Sequence, residues 1–511
     1  RIAAERACTD ARELSTFMVD LFSVPASERR SAVALTARGI LDRGADRIDR
    51  EFEQRPRLRA RLALQLGQVY QSLGAYDRSR QLIEASLHLR RRARPADALA
   101  IAESLDGLGW AHRYGGDLAA AEQHFAEALA LREATLGPMH RDVAETLNGL
   151  AVVERRQGRF EEAEAHYLRS LAIVEALDGP EHPVVASRLN NLALLYYYQG
   201  DLDRAEAMHR RSLAIRETAF ETHHPSLANS LNNLANVLVD RGRTDEAEAL
   251  YRRALEIWRH VGGPQHPQTA ASAENLGYLF EDSGRWDEAE IFYLEALEVR
   301  RRAFAAGHPD IARALANVGG LDVLRRRLES GEARLREALA AQEAAYGPDD
   351  LDVAVTLTKL AAASIAQGRI AEGRALAGRA LTINRAALGD DHPAIIFCLY
   401  TLALCDLADG DTATAIDRLD RAITIGQAGD PDAADGLALL VVARKFAERP
   451  PGSRGERLDF VRRMTAPGRV EESPAWAPDA PTQDQRPAEA ADAGASSTNT
   501  NASVERTNEI R

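Results

Sequence analysis

HPVVASRLNNLALLYYYQGDLDRAEAMHRRSLAI, residues His182 to Ile215, is answered forty-two residues later by HPSLANSLNNLANVLVDRGRTDEAEALYRRALEI, residues His224 to Ile257. Each stretch reads as two helices and two loops. In the first half Leu189, Leu192, Ala193 and Tyr196 recur at spacings of three and four, which gives a helix one apolar face. In the second half Ala205, His209 and Ser212 keep the register of Ala247, Tyr251 and Ala254, and of Ala289, Tyr293 and Ala296. Small residues at those places let two helices approach closely.

Working outward from this pair, a glycine stands between the two helices at Gly74, Gly116, Gly158, Gly200, Gly242, Gly284, Gly368 and Gly410. Every step is forty-two residues or, across Arg326, twice that, so one frame runs through nine units without insertion. A helix C-terminus needs a left-handed residue there, which glycine supplies about 1 kcal/mol more cheaply than other residues. The second break is of LGP-x-HP type, with Gly179, Pro180 and Pro183, or Gly263, Pro264 and Pro267. Proline is tolerated in a first helical turn because that N–H has no partner within the helix. Asp77, Asp203, Asp245 and Asp287 recur at the start of the second helix and support it by capping or through the dipole. A forty-two-residue period is also six heptads, but the paired Gly and Pro breaks would interrupt a long coiled coil in every period at about 1 and 3 kcal/mol each.

The order Leu-x-x-Leu-Ala/Gly, a glycine, then Ala, aromatic and Ala on the second helix resembles the tetratricopeptide repeat. The long period, the HP before the first helix and the Leu-Asn-Asn-Leu-Ala of Leu189–Ala193 and Leu231–Ala235 resemble its kinesin-light-chain subtype. The resemblance implies an all-α fold, a right-handed α-α superhelix of about nine hairpins, whose first helices line a concave groove for a peptide or protein segment. A second resemblance lies upstream. FMVDLFSVP from Phe17 and LTARGILDRGADRI from Leu35 resemble the linker before the repeats of bacterial receptor-like serine/threonine kinases. It implies an alternative in which this chain is the sensory or substrate-recruiting part of a kinase encoded upstream. No glycine-rich loop with a strand lysine, no HRD and no DFG occurs in these residues.

Composition agrees with helices and excludes several functions. The 511 residues are 45% hydrophobic, 28% charged and only 5% aromatic, poor in the residues that favour strands. A net charge of −13 gives no overall basic field for nucleic acid. Cys8, Cys398 and Cys405 form no CxxC, and the last two read as small buried apolar residues on one helix. The apolar runs at Leu192–Tyr198 and Leu437–Ala443 are too short to span a bilayer, which takes about eighteen residues or more. His140, His182, His224, His266, His308 and His392 recur at one place in the repeat, so they stand a repeat apart and read as structural rather than metal-binding. No Ser or Cys stands at a fixed offset from them as a nucleophile, so no cofactor and no catalytic site are expected. The expected setting is cytoplasmic, or extracytoplasmic if the chain follows a membrane span in a longer kinase.

A binding face follows from helix geometry. On the first helix of the unit at Gly200, the side away from the packed stripe carries Asn190, Asn191, Leu194, Tyr197 and Tyr198. Neighbouring units add Asn148, Arg155 and Arg156, then Asn232, Asn233, Asn236 and Asp240, then Asn275, Tyr278 and Asp282, and finally Asn317. Asparagine both donates and accepts, so a row of them can pair with an extended backbone whatever its side chains. The competing reading has Asn191, Asn233, Asn275 and Asn317 bonding to the adjacent repeat and specifying stacking. Arg155 and Arg156 either meet an acidic ligand or stay solvated.

The frame divides the chain into a helical leader over 1–54, the array over 55–446 and a Pro/Ser/Thr/Asn-rich tail over 447–511 that is expected to be disordered. In the tail, Glu471, Glu472, Trp476 and Asp479 surround one aromatic with acids and offer an intramolecular plug for the groove. The unit at Ile311–Tyr346 is degenerate, with Arg326 for Gly, Asp322 at a normally apolar place and Gly331 for Ala, and is expected to be the softest internal joint.

Overall fold

A computed structural model describes residues 37–263, 265–429, 438–448, 450 and 453–465, and the expectations for Phe17–Pro25, Cys8, Pro264 and the Trp476 segment lie outside them. The described residues form α-helices and no strand. Helix α1 (Ala37–Glu51) is followed by hairpins, each a helix A and a helix B. They are α2 (Pro56–Ser72) with α3 (Tyr76–Arg92), α4 (Ala98–Tyr114) with α5 (Leu118–Leu136), α6 (Arg141–Arg156) with α7 (Phe160–Asp178), and α8 (Pro183–Tyr198) with α9 (Leu202–Ala219). Then come α10 (Pro225–Asp240) with α11 (Thr244–Val261), α12 (Pro267–Asp282) with α13 (Trp286–Ala303), and α14 (Pro309–Leu324) with α15 (Leu328–Tyr346). The last two are α16 (Leu351–Ala366) with α17 (Ile370–Leu388), and α18 (Ile395–Asp409) with α19 (Thr412–Gly429). The chain divides into two compact units, Arg1–Ile215 and Arg216–Arg511. Within each, every hairpin packs on the next in chain order.

The turn inside each hairpin is fixed by its rung residue. The eight rung glycines take φ between +69° and +87°, and the residue after each turn closes the loop by donating to the carbonyl five back, as Asp201 N does to Tyr196 O at 2.9 Å and Arg285 N to Phe280 O at 2.7 Å. Arg326 adopts the same left-handed backbone at φ +62° without glycine's freedom. Helix A is started by the recurrent histidine. The Nδ1 atoms of His140, His182, His224, His266 and His308 accept from the N–H two residues on at 3.1 to 3.3 Å, and Asp350 makes the same bond in α16. At the start of helix B the side-chain caps are Asp117, Asp201 and Asp411, whose carboxylates accept from the N–H groups of Ala120, Arg204 and Thr414. Asp77, Asp245 and Asp287 instead sit in the first turn with no side-chain cap before them, so they act through the dipole.

Helices A and B meet through the small residues the repeat predicts. Ala151, Ala193, Ala235, Ala361 and Ala403 are fully buried. At the equivalent Gly277 an added Cβ would lie 2.4 Å from the Tyr293 ring, so that close approach needs glycine. Between hairpins, a polar residue sixteen after the rung reaches helix A of the next unit. Arg132 meets Asp106, the Asp142 carbonyl and Thr146, Arg216 meets the Ser226 carbonyl and Ser230, and Gln342 accepts from Thr356. Asn384 continues the series with Ala394 O and Cys398 Sγ. Cys398 and Cys405 are both buried on α18, and burial pushes the Cys405 thiol up to about 12. On the B helices, arginines pair with the previous or following unit, as in Arg169–Glu133, Arg211–Glu175 and Arg253–Glu217.

The packed structure continues past residue 446. Helix α20 (Ala438–Glu448) covers α19, and α21 (Arg454–Met464) follows inside the stretch whose composition predicts disorder. Phe460, Val461 and Met464 of α21 are buried, which an average over the tail's composition conceals.

Candidate functional site

The face predicted on helix A follows from a seven-residue step. Residues ten and three before the rung lie two turns apart on one stripe, as do those nine and two before it. In the first compact unit this stripe carries Asn148, Arg155 and Arg156 of α6, Asn190, Asn191, Leu194, Tyr197 and Tyr198 of α8, and Trp110, Arg113 and Tyr114 of α4.

The asparagines are less exposed than projection from the core suggests. Asn148 is 6% exposed and its Oδ1 accepts from Asn191 Nδ2 at 2.8 Å, a bond from one unit to the next. Asn190, Asn191, Leu194 and Tyr197 are half-buried and Tyr198 is exposed. In the second unit Asn232 and Asn233 are buried, and Asn232 Nδ2 donates to Ser272 Oγ of the next hairpin at 3.3 Å. Asn236 accepts from the Tyr251 hydroxyl at 2.5 Å, while Asp240, Asn275 and Tyr278 are half-buried and Asp282 is exposed. Asn317 donates toward Glu274 at 3.5 Å and accepts from Lys359 Nζ at 3.2 Å, joining α12, α14 and α16. Much of the row thus bonds between repeats, as the stacking reading describes for Asn191 and Asn317.

Charge divides the stripe. In the first unit Arg113 of α4 is joined by Arg155 and Arg156 of α6, and its guanidinium is pulled down to about 10 by burial, then by Arg156 and Arg155. Arg113 lies 4.6 Å over the Tyr114 ring and 5.8 Å over Trp110, and Arg155 lies 4.8 Å over exposed Tyr198. Glu154, the acid beside them in sequence, is engaged by His166 Nδ1 at 2.7 Å. In the second unit the stripe holds acids instead. Glu274 pairs with Arg300 in a buried bridge, and Glu281 accepts from the Tyr293 hydroxyl at 2.7 Å, its carboxyl raised by burial against the pull of Lys359. Sequence reasoning missed Trp110, Arg113 and Tyr114, although Trp110 stands at the register of Leu194, and Arg113 and Tyr114 at that of Arg155 and Arg156.

Comparison with known proteins fits this architecture. The sequence profile of the tetratricopeptide repeat matches residues 58–134, 142–218, 226–302, 274–344 and 352–428, and a second profile of the same description matches 190–260. The chain belongs to the tetratricopeptide repeat family. No curated protein sequence matches it. Among solved structures, this tetratricopeptide repeat chain is similar to BtubC (BKLC) from P. vanneervenii, at 27% identity over 47% of this chain and 94% of that one, with a TM-score of 0.39. It is similar at 22% identity to a putative kinesin light chain of Podosopora anserina with nearly identical repeats, over 39% of this chain and 94% of that one, TM-score 0.35. The apo form of the quorum sensor NprR from B. thuringiensis matches 74% of this chain and 99% of its own at 12% identity, with a TM-score of 0.50, a likeness of fold. Among the described tetratricopeptide residues, no helix is long and apolar enough to cross a membrane.

Proposed function

We propose that this tetratricopeptide repeat protein is an interaction scaffold whose helix A stripe in the first compact unit holds a polypeptide segment carrying acidic side chains. The observation that carries this is the crowding of Arg113, Arg155 and Arg156 on α4 and α6. Arginines gathered on an aromatic-lined face offer a carboxylate several planar forks of paired donors. Tyr198, Tyr114 and Trp110 supply ring faces beside the cations for an apolar or aromatic side chain of the same segment. Asn190 and Asn191, half-buried on the adjacent helix, stand where they can pair with its backbone. Nothing in this arrangement calls for chemistry on the bound segment.

Fluorescence anisotropy with two labelled dodecapeptides, one rich in Glu and Asp with a single Trp and one rich in Lys and Arg, tests the reading. The acidic peptide should bind and the basic one should not. Arg156→Glu, at an exposed position, should weaken the acidic peptide about tenfold or more while the melt is unchanged, and 0.5 M salt should act in the same direction. Equal binding of both peptides, or indifference to Arg156→Glu, would refute it.

A further inference from the structure

Helix α21 does not lie where an end cap is needed. The open side of the last hairpin is already covered by α20, whose Leu440, Ala443, Phe446 and Ala447 are buried and which packs against α19. Helix α21 packs against α18 and α16, two A helices, and meets α20 through Phe460 on Phe446. Its Met464 carbonyl accepts from the Tyr400 hydroxyl at 2.9 Å. Tyr400 stands ten residues before its rung, the place held upstream by Asn148, Asn190 and Asn232. The guanidiniums of Arg462 and Arg457 lie over the rung glycines Gly368 and Gly410, where added Cβ atoms would come within 2.9 and 3.3 Å of them. Arg326, the third rung in line, reaches the Arg463 carbonyl at 3.4 Å. The helix is begun by Ser453, whose Oγ accepts from Glu456 N at 3.2 Å and donates to the Glu456 carboxylate at 2.7 Å.

We infer that α21 is a resident ligand of the helix A stripe: it fills the face of the last units with this chain's own segment, and that face takes amphipathic helices of the same pattern when α21 leaves. The pattern is an adjacent apolar pair with a third apolar residue a turn later, Phe460, Val461 and Met464, flanked by Arg457, Arg462 and Arg463. Its apolar side is received by Tyr400 and Phe446, the latter stacked on Phe460 with ring centres 3.6 Å apart. The partner is thus a basic amphipathic helix, opposite in charge to the segment proposed for the first unit, and this inference stands independently of that reading. The tether between α20 and α21 is short, so the resident helix acts at an effective concentration of roughly millimolar and excludes competitors of micromolar affinity.

The test uses the full chain and a labelled peptide of residues 453–465 as the probe. Wild type should not bind it, because the site is filled. Phe460→Asp with Val461→Asp should expel α21 and raise affinity for the peptide by about tenfold or more, and the same peptide carrying both aspartates should not bind. Should that variant fail to fold, a protease site placed between residues 450 and 453 of the otherwise wild-type chain serves instead. After cleavage, the fragment carrying α21 should stay bound and be displaced by excess peptide. Absence of binding to the variant, equal binding to variant and wild type, or a cleaved fragment that the peptide cannot displace would overturn the inference.

Discussion

Asp322 stands four residues before its rung, where Leu238 and Phe280 are apolar, and it is 1% exposed. It is not abandoned there. Arg327 meets it at 2.6 Å, Ser330 donates to it at 3.1 Å, and Arg334, eight residues after the rung, completes the set. The same two places of the repeat hold Glu154 with His166, Asp406 with Arg418, and the stacked pair Phe280 and Phe292. The rule across the array is therefore complementarity, not apolarity. Removing only the base leaves a buried carboxylate short of a partner, whereas replacing both partners leaves nothing unsatisfied. We expect Arg334→Leu to cost about 1–3 kcal/mol and the double variant Asp322→Leu with Arg334→Leu to recover most of it. Urea denaturation of the four chains of this cycle measures the coupling, and additive losses would contradict the pairing. Arg326, strained at φ +62°, gives a second expectation. Arg326→Gly should stabilise the chain by about 1 kcal/mol, seen as a higher urea midpoint, and a lower midpoint would mean its reach to Arg463 outweighs the strain.

The helices show why some of this was legible in the sequence and some was not. Rung glycines and helix-starting prolines can be read because they answer local backbone demands, and each lies where the frame places it. The histidines were legible as structural but not as caps, since Nδ1 accepting from a backbone N–H leaves no spacing signature beyond recurrence. That bond has a consequence at the scale of a helix, because a carboxylate can take the imidazole's place, as Asp350 does. Asp at the places of His182, His224 and His266 should keep the caps, whereas Ala at the same three should cost about 0.5–1 kcal/mol per lost cap, read as thermal melts of the two triple variants. Equal losses in the Asp and Ala variants would contradict the cap reading. A dependence on pH comes from two other ring environments: burial pulls His392 down, and burial and then His112 pull His124 down. A histidine held low in the folded chain binds fewer protons there than in the unfolded chain, so the stability present above the imidazole range is lost as pH falls through it.

At the scale of the whole chain, how one repeat meets the next could be read only in part. The asparagine row and the alternative that Asn191 bonds to the neighbouring repeat were visible, yet its partner Asn148 appears only once the hairpins are stacked. Arg132, Arg216 and Arg300 stood in register and could have been found by asking which polar residues recur on an otherwise apolar helix end. Helix α21 could not, because three apolar residues within a proline-rich stretch acquire meaning only beside α18. These bonds also change the expectation for the degenerate unit. In a repeat array each hairpin is held by its own stability and by the interfaces on either side. Residue by residue, α14 and α15 look weak, but Asp322 is saturated, Arg325 and Arg327 pair with Glu290 of the preceding hairpin, and Asn317 joins Glu274 on one side to Lys359 on the other. Both interfaces are therefore polar and filled. Amides of Leu315–Val323 should exchange no faster than those of α12 and α16, with Lys359→Met selectively speeding exchange in α14 and α16 because it removes one interface bond and leaves the other. Hydrogen exchange followed by mass spectrometry decides between this and a joint governed by Arg326. Rapid exchange across α14 in the wild-type chain, unaltered by Lys359→Met, would show that the strained turn and not the interfaces sets local stability.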